Sequence, residues 1–303
     1  MHSKLPKPTL YSLSEFHPWS VKYAQSLFDC ILHTDPAAKD WRSKANTILV
    51  KDYPITGEDL LAPPLLRAIS KQAVGTENID TESCAELGVK VFNTLGVNAS
   101  AVAEMALART LSSARDIPGL RYRQHALRQS IRNETCNGIL LTGSTVGIIG
   151  LGNIGEAVAN MSIRAFASNT VAYDPFMPDD VWADILHHRV TTLDEVLTGA
   201  DVVTLHVYLT KQTAGLISYP KLQRMKRTAI LINAARGGIV DEDDLHGALD
   251  ENLIRRCGLD CHVQEPPTFD KYQTLWAHDH YVDTPPRACC DGCNPDGYSQ
   301  CRD

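Results

Sequence analysis

The chain has 303 residues, enough for about two domains, and its 44% hydrophobic and 21% charged content is that of a packed globular protein. Twenty-nine basic against 36 acidic side chains leave a formal charge of −7, which repels nucleic acid and anionic membrane surfaces. Apolar runs such as 145–151 and 229–235 fall well short of the roughly 20 residues that a bilayer span needs. The opening Met1-His2-Ser3-Lys4-Leu5-Pro6-Lys7-Pro8 has no apolar core of the secretory kind. The expectation is therefore a cytoplasmic protein with neither a nucleic-acid nor a membrane partner.

No self-similarity recurs at a period of 20–50 residues, which argues against a solenoid or propeller. From Asn46 onward, runs rich in Val and Ile alternate with stretches of helical periodicity. Strands are expected at 47–50 and 89–92, and helices at 57–69 and 99–113. The polar stretch 115–143, with Arg121, Arg123, Arg128 and Arg132, reads as a connecting helix and loop whose arginines face water and hold no ligand. Strands then follow at 145–149, 170–173, 202–206, 229–233 and 256–260, separated by amphipathic stretches. Fully apolar strands with intervening helices form parallel sheets covered on both faces, so the class is α/β. Cys30, Cys84, Cys136, Cys257 and Cys261 are scattered and suit reduced thiols in a cytosolic core. Cys289, Cys290, Cys293 and Cys301 crowd the last fifteen residues; they lack the paired C-x₂-C spacing of structural zinc, and no metal is assigned to them.

The strand at 145–149 runs into Gly150-Leu151-Gly152-Asn153-Ile154-Gly155 and then a helical segment from Glu156. A G-x-G-x-x-G between strand and helix has a mechanical reading. Gly150 permits the tight turn, Gly152 lets the main chain approach a pyrophosphate, and Gly155 lets helix and strand pack closely. The helix start offers N–H groups and positive dipole to phosphates. Asp174 stands nineteen residues after Gly155, at the end of the next strand. A carboxylate there accepts the hydroxyls of an adenosine ribose and repels a 2′-phosphate, which points to NAD rather than NADP.

Further ordered blocks accompany this turn: Ala73-Val74-Gly75-Thr76-Glu77-Asn78-Ile79-Asp80, residues 98–104, Leu205-His206-Val207-Tyr208-Leu209-Thr210, Asn233-Ala234-Ala235-Arg236-Gly237, and Asp260 with Glu265-Pro266. With them the chain resembles the D-isomer-specific 2-hydroxyacid dehydrogenase family from about residue 44 to 284. The resemblance implies a doubly wound parallel-sheet (Rossmann) cofactor domain inserted in a flavodoxin-like substrate domain, with substrate in the cleft between them. On that pattern, 1–115 form the substrate domain, 116–285 the NAD-binding domain and 286–303 an irregular Cys-rich tail. Family members usually dimerise through the cofactor domains, so a homodimer is expected.

The site residues divide between residue chemistry and resemblance. Arg236 follows an apolar strand and precedes two glycines, which puts its guanidinium at the carboxyl end of a parallel sheet, where ligands bind. A planar fork there suits a substrate carboxylate and polarises the adjacent carbonyl; the family's catalytic arginine falls at this position, and a pair with Asp241 is the alternative. The resemblance makes Glu265 a catalytic residue that orients a histidine. It gives Asp260 the nicotinamide carboxamide, and Asn153, Ile154, Pro175, His206, Thr213, Ala234 and Arg236 other cofactor contacts. His206 also fits a satisfied histidine at a strand end. Gly75 and Thr76 resemble the loop that receives the substrate carboxylate. Asn98 resembles an asparagine at the cleft, though it also fits a helix cap.

The resemblance breaks at Thr284-Pro285-Pro286, where the family places a proton-donating histidine after Thr-Pro. Proline moves no proton. From Asp283 onward the chain holds no Val, Ile, Leu, Met, Phe or Trp, so the family's closing apolar helix has no counterpart. A natural short variant and a shifted reading frame near Pro286 both fit, and the abruptness of the break favours the second. The function expected is an NAD-dependent oxidoreductase that interconverts a D-2-hydroxy acid and its 2-keto acid; Glu265, where formate dehydrogenases have glutamine, argues against formate. The alternative is a catalytically impaired NAD(H)-binding protein that acts through partners.

Overall fold

The computed structural model describes residues 7–61 and 65–283, which fall into two compact units divided between Val97 and Asn98. In the first, strands β1 (Thr9–Ser12), β2 (Asp29–Leu32), β3 (Thr47–Val50), β4 (Ala68–Lys71) and β5 (Lys90–Phe92) form a parallel sheet in the order β2-β1-β3-β4-β5. That order is flavodoxin-like. Helices α1 (Pro18–Leu27), α2 (Trp41–Lys44), α3 (Gly57–Leu61) and α4 (Thr81–Glu86) accompany it. Ile48, Val50 and Ile69 are fully buried and pack with Tyr11, Trp41, Ile55 and Ile79. Asp80 caps α4, accepting the N–H of Ser83 at 3.0 Å.

The second unit opens with α5 (Ala99–Arg115) and α6 (Ile117–His125). Strands β6 (Thr145–Ile149), β7 (Asn169–Tyr173), β8 (His188–Arg189), β9 (Val202–Leu205), β10 (Ile230–Asn233), β11 (Arg256–Leu259) and β12 (Tyr281–Asp283) then build one parallel sheet, ordered β12-β11-β10-β9-β6-β7-β8. Counted from β6, the order is the doubly wound 3-2-1-4-5-6 with one more strand. Helices α7 (Asn153–Phe166), α8 (Leu193–Gly199), α9 (Tyr219–Leu222), α10 (Glu242–Asp250) and α11 (Phe269–Trp276) complete the unit. Successive strand residues serve opposite faces: Val146, Ile148, Ile230 and Ile232 join the core under α5 and α7, while Ile149, Leu205 and Leu231 join that of α8, α10 and α11. Burial on both faces explains why these strands read as continuous apolar runs.

The strands expected at 47–50 and 145–149 coincide with β3 and β6, and the others shift by a residue at one end. The helix expected over 57–69 ends at Leu61, and Ala68–Lys71 is a strand instead. The sequence Pro63-Pro64 between them is hostile to a helix interior. β1, β2, β8 and β12 were not foreseen. The two units divide one helix earlier than a boundary at 115, because α5 packs against α7, β10 and β11. Cys84, Cys257 and Cys261 are buried and Cys30 partly so, but Cys136 is exposed, against the expectation of a core thiol. Arg121, Arg128 and Arg132 are exposed as expected, and Arg123 pairs with Asp116 at 3.1 Å. No helix among the described residues is long and apolar enough to cross a membrane. Residues 284–286 and the cysteines at 289, 290, 293 and 301 lie outside the described residues.

Candidate active site

Five loops at the carboxyl ends of parallel strands carry most of the anticipated residues of the second unit. The turn after β6 reverses sharply: Gly150 has φ +101°, and a Cβ there would lie 2.4 Å from the carbonyl oxygen of His206. β6 and β9 are neighbours on either side of the point where strand order reverses, the usual ligand crevice of such sheets. A Cβ on Gly155 would sit 2.1 Å from the carbonyl oxygen of Gly150, so the first turn of α7 lies directly on the glycine loop. A Cβ on Gly152, by contrast, would meet nothing within 4 Å. That open space faces a helix start whose first N–H groups have no intrahelical acceptor, which is the room and the polarity a pyrophosphate requires.

Asp174, after β7, is tied to the same turn. Its Oδ2 accepts the N–H of Leu151 at 3.0 Å and its Oδ1 that of Phe176 at 2.9 Å. An ionised carboxylate has about four acceptor sites, so capacity for two hydroxyls remains. Arg189 donates to the carbonyl oxygens of Asp174, Met177 and Pro178, which braces the loop holding Pro175. Asn153 and Pro175 are exposed and Ile154 is half-buried.

His206, after β9, bonds through Nε2 to the hydroxyl of Thr204 at 2.9 Å, while its Nδ1 is shut off from solvent without a hydrogen-bond partner. Burial pushes this imidazole down to about 3. It is therefore neutral, with one ring nitrogen satisfied and the other orphaned. Thr213 shapes its own loop: its hydroxyl donates to the carbonyl oxygen of Tyr208 and accepts the N–H of Thr210 at 2.8 Å.

Beyond β10, buried Asn233 shapes the loop that presents Arg236. Its Nδ2 donates to the carbonyl oxygen of Arg236 at 2.9 Å and its Oδ1 accepts the N–H of Ala235 at 3.1 Å. Ala234 is buried and Arg236 is exposed, with Nη1 on the carbonyl oxygen of Ala235 at 2.8 Å. Asp241, considered above as a partner for Arg236, caps α10 through the N–H groups of Asp243 and Asp244. A Cβ on Gly237 would fall 1.9 Å from the carbonyl oxygen of His262, so the loops after β10 and β11 touch backbone to backbone. This contact gathers Arg236, Asp260 and Glu265 into one region. Cys261 lies among all three: burial raises its thiol, Glu265 and Asp260 raise it further and Arg236 opposes them.

Glu265 is exposed, and its Oε1 accepts the N–H of His262 at 3.0 Å. Asp260 is buried and ion-paired with Arg109 of α5, Nη2 to Oδ1, at 2.9 Å. Arg109 escaped the sequence reading, although it falls on the α5 stripe of Val102, Ala106 and Ser113, where a charge is out of place. His262 was also missed; its Nε2 lies 2.9 Å from Asp283 and 3.2 Å from the hydroxyl of Tyr281.

In the first unit, Gly75 is buried under the carboxylate of Glu77 and the carbonyl oxygen of Thr76 accepts the N–H of Ile79 at 2.9 Å. Buried Lys71 donates to Asn78 Oδ1 at 2.8 Å and to the carbonyl oxygen of Lys51, bracing the same loop from below. At the start of the second unit, Asn98 occupies the N-cap position of α5 without a side-chain capping bond; its Oδ1 is buried and has no hydrogen-bond partner.

The glycine turn, the carboxylate of Asp174 beside it and the arginine loop, carried on a doubly wound sheet, are the features of a dinucleotide-binding fold. Residues 107–288 match the family model of the D-isomer specific 2-hydroxyacid dehydrogenase NAD binding domain, and the chain belongs to that family, with NAD as its cofactor. It is 37% identical over 220 residues to D-3-phosphoglycerate dehydrogenase of Methanocaldococcus jannaschii, covering 73% of this chain and 41% of the relative. The chain thus spans about two-fifths of the length of that relative. It is 34% identical over 231 residues to hydroxypyruvate reductase of Thermotoga maritima, covering 76% and 73%. Among solved structures, a Thermus thermophilus protein superposes with a TM-score of 0.81 at 29% identity, covering 92% of this chain and 89% of that one.

Proposed function

We propose that the protein is an NAD-dependent oxidoreductase that interconverts a D-2-hydroxy acid and its 2-keto acid. The observation that carries this reading is the meeting of the Arg236 loop with the Asp260–Glu265 loop, on the sheet that bears the glycine turn. NAD, when bound, supplies or accepts the hydride. Arg236 binds the substrate carboxylate and polarises the oxygen at C2; Gly75, Thr76 and Asn98 are further substrate contacts. Gly150, Gly152, Asn153, Ile154, Gly155, Asp174, Pro175, His206, Thr213, Ala234 and Asp260 are the proposed cofactor contacts. Glu265 takes the place of the residue that orients the family's histidine, and with proline at 286 in place of that histidine the rate is expected to lack the roughly 10²–10⁴-fold that a positioned proton donor contributes.

Relatives named as dehydrogenases and reductases support catalysis over the partner-binding alternative. The expected setting is the cytoplasm and the expected assembly a homodimer. A steady-state assay with NADH and a panel of 2-keto acids tests the reaction. Turnover that falls by about 10² or more in Arg236→Ala is the expected result; NADH binding with no turnover on any keto acid would contradict it.

A further inference from the structure

Asp260 is a puzzle as a packing residue. It follows β11 directly, its backbone N–H donates to the carbonyl oxygen of Asn233 at 2.9 Å, and its side chain is 3% exposed. A carboxylate so deep is costly to ionise without a cationic partner, and an apolar residue would fill the space without that cost. The partner comes from α5, 151 positions earlier in the chain: Arg109, whose side chain is 4% exposed and whose Nη2 lies 2.9 Å from Asp260 Oδ1.

Two features show that the place is built for this pair. Arg109 lies on the α5 stripe with Val102, Ala106 and Ser113, at spacings of three and four that face the sheet. Opposite it, β11 carries a glycine: a Cβ on Gly258 would lie 3.3 Å from both Arg109 Cβ and Ser113 Oγ and 2.9 Å from Ile232 Cδ1. Absence of a side chain at 258 lets the helix and the guanidinium approach the strand end.

We propose that Arg109 is a positioning residue for nicotinamide recognition, fixing the carboxylate of Asp260 as the acceptor for the carboxamide of NAD. The proposal rests on the reading of Asp260 as a nicotinamide contact. The ion pair locks one rotamer of Asp260 and occupies one acceptor site, leaving the rest for amide N–H donors. It also offsets the charge of a carboxylate set beside a ring whose own charge changes by one unit between oxidised and reduced cofactor.

Calorimetric titration of the full chain with NADH and with ADP-ribose, which lacks the nicotinamide, tests this. In Arg109→Met, NADH affinity is expected to fall about tenfold or more while ADP-ribose binds within about twofold of wild type. Arg109→Lys is expected to recover part of the loss. If the single variant leaves too little folded protein, Arg109→Met combined with Asp260→Asn removes the buried charge and is expected to show the same NADH-selective loss. Equal losses for both ligands, or undiminished NADH affinity, would overturn the proposal. Asp260→Ala that loses NADH while Arg109→Met does not overturns the proposal and leaves the oxidoreductase reading standing. Wild-type protein that binds neither ligand overturns both.

Discussion

A neutral imidazole at the end of β9 ties stability to acid. His206 is held near 3, against about 6.5 for an unconstrained histidine. Between those values the unfolded chain binds a proton that the folded chain refuses, so the contribution of His206 is whole above about pH 6.5 and declines as pH falls toward 3. Its slope is at most about 1.4 kcal/mol per pH unit. Urea unfolding of wild type and His206→Asn across about pH 7 to 4 checks this: the wild-type curve is expected to fall more steeply, and parallel curves would contradict it. The thiols make a second residue-scale prediction. Burial raises Cys257 and Cys261, whereas Cys136 is exposed. Alkylation at neutral pH followed by peptide mapping should therefore modify Cys136 well before the two buried thiols, which react only on unfolding.

Among elements, contact between the loops after β10 and β11 depends on the missing side chain at 237. Gly237→Ala places a methyl group 1.9 Å from the His262 carbonyl oxygen, and only backbone movement relieves it. The expected cost is about 1–3 kcal/mol in denaturant unfolding, together with weaker NADH binding. Gly199→Ala, at the end of α8 with nothing within 4 Å, is the control and is expected to be neutral or slightly stabilising. The glycine turn was legible in sequence because its regular expression sits between an apolar strand and a helix, and Asp174 because the next strand ends at it. The Arg109–Asp260 pair was not, since its halves lie on elements far apart in the chain and only the three-dimensional register of α5 on β11 joins them. β1 and β2 escaped notice as four-residue strands, with three of the β2 residues only partly buried. Over 57–69 the apolar spacing of a helix competes with Pro63-Pro64, which a helix interior does not accommodate, and the structure has α3 and β4 on either side instead.

At the scale of the whole molecule, one unit carries a flavodoxin-like sheet with the Gly75–Thr76 loop and the other a doubly wound sheet with the proposed cofactor contacts. The central prediction concerns the second unit: NAD is expected in preference to NADP, because Asp174, in its proposed place beside the adenosine ribose, would meet a 2′-phosphate with like charge. Repulsion at such range is worth about one to a few kcal/mol, or roughly tenfold and more in affinity. Fluorescence titration of the purified chain with NADH, and with NADPH as the matched control, reads that difference directly. NADH is expected to bind at least about tenfold more tightly than NADPH, with the preference lost in Asp174→Ala. Equal or tighter binding of NADPH, or no binding of NADH at all, would contradict it.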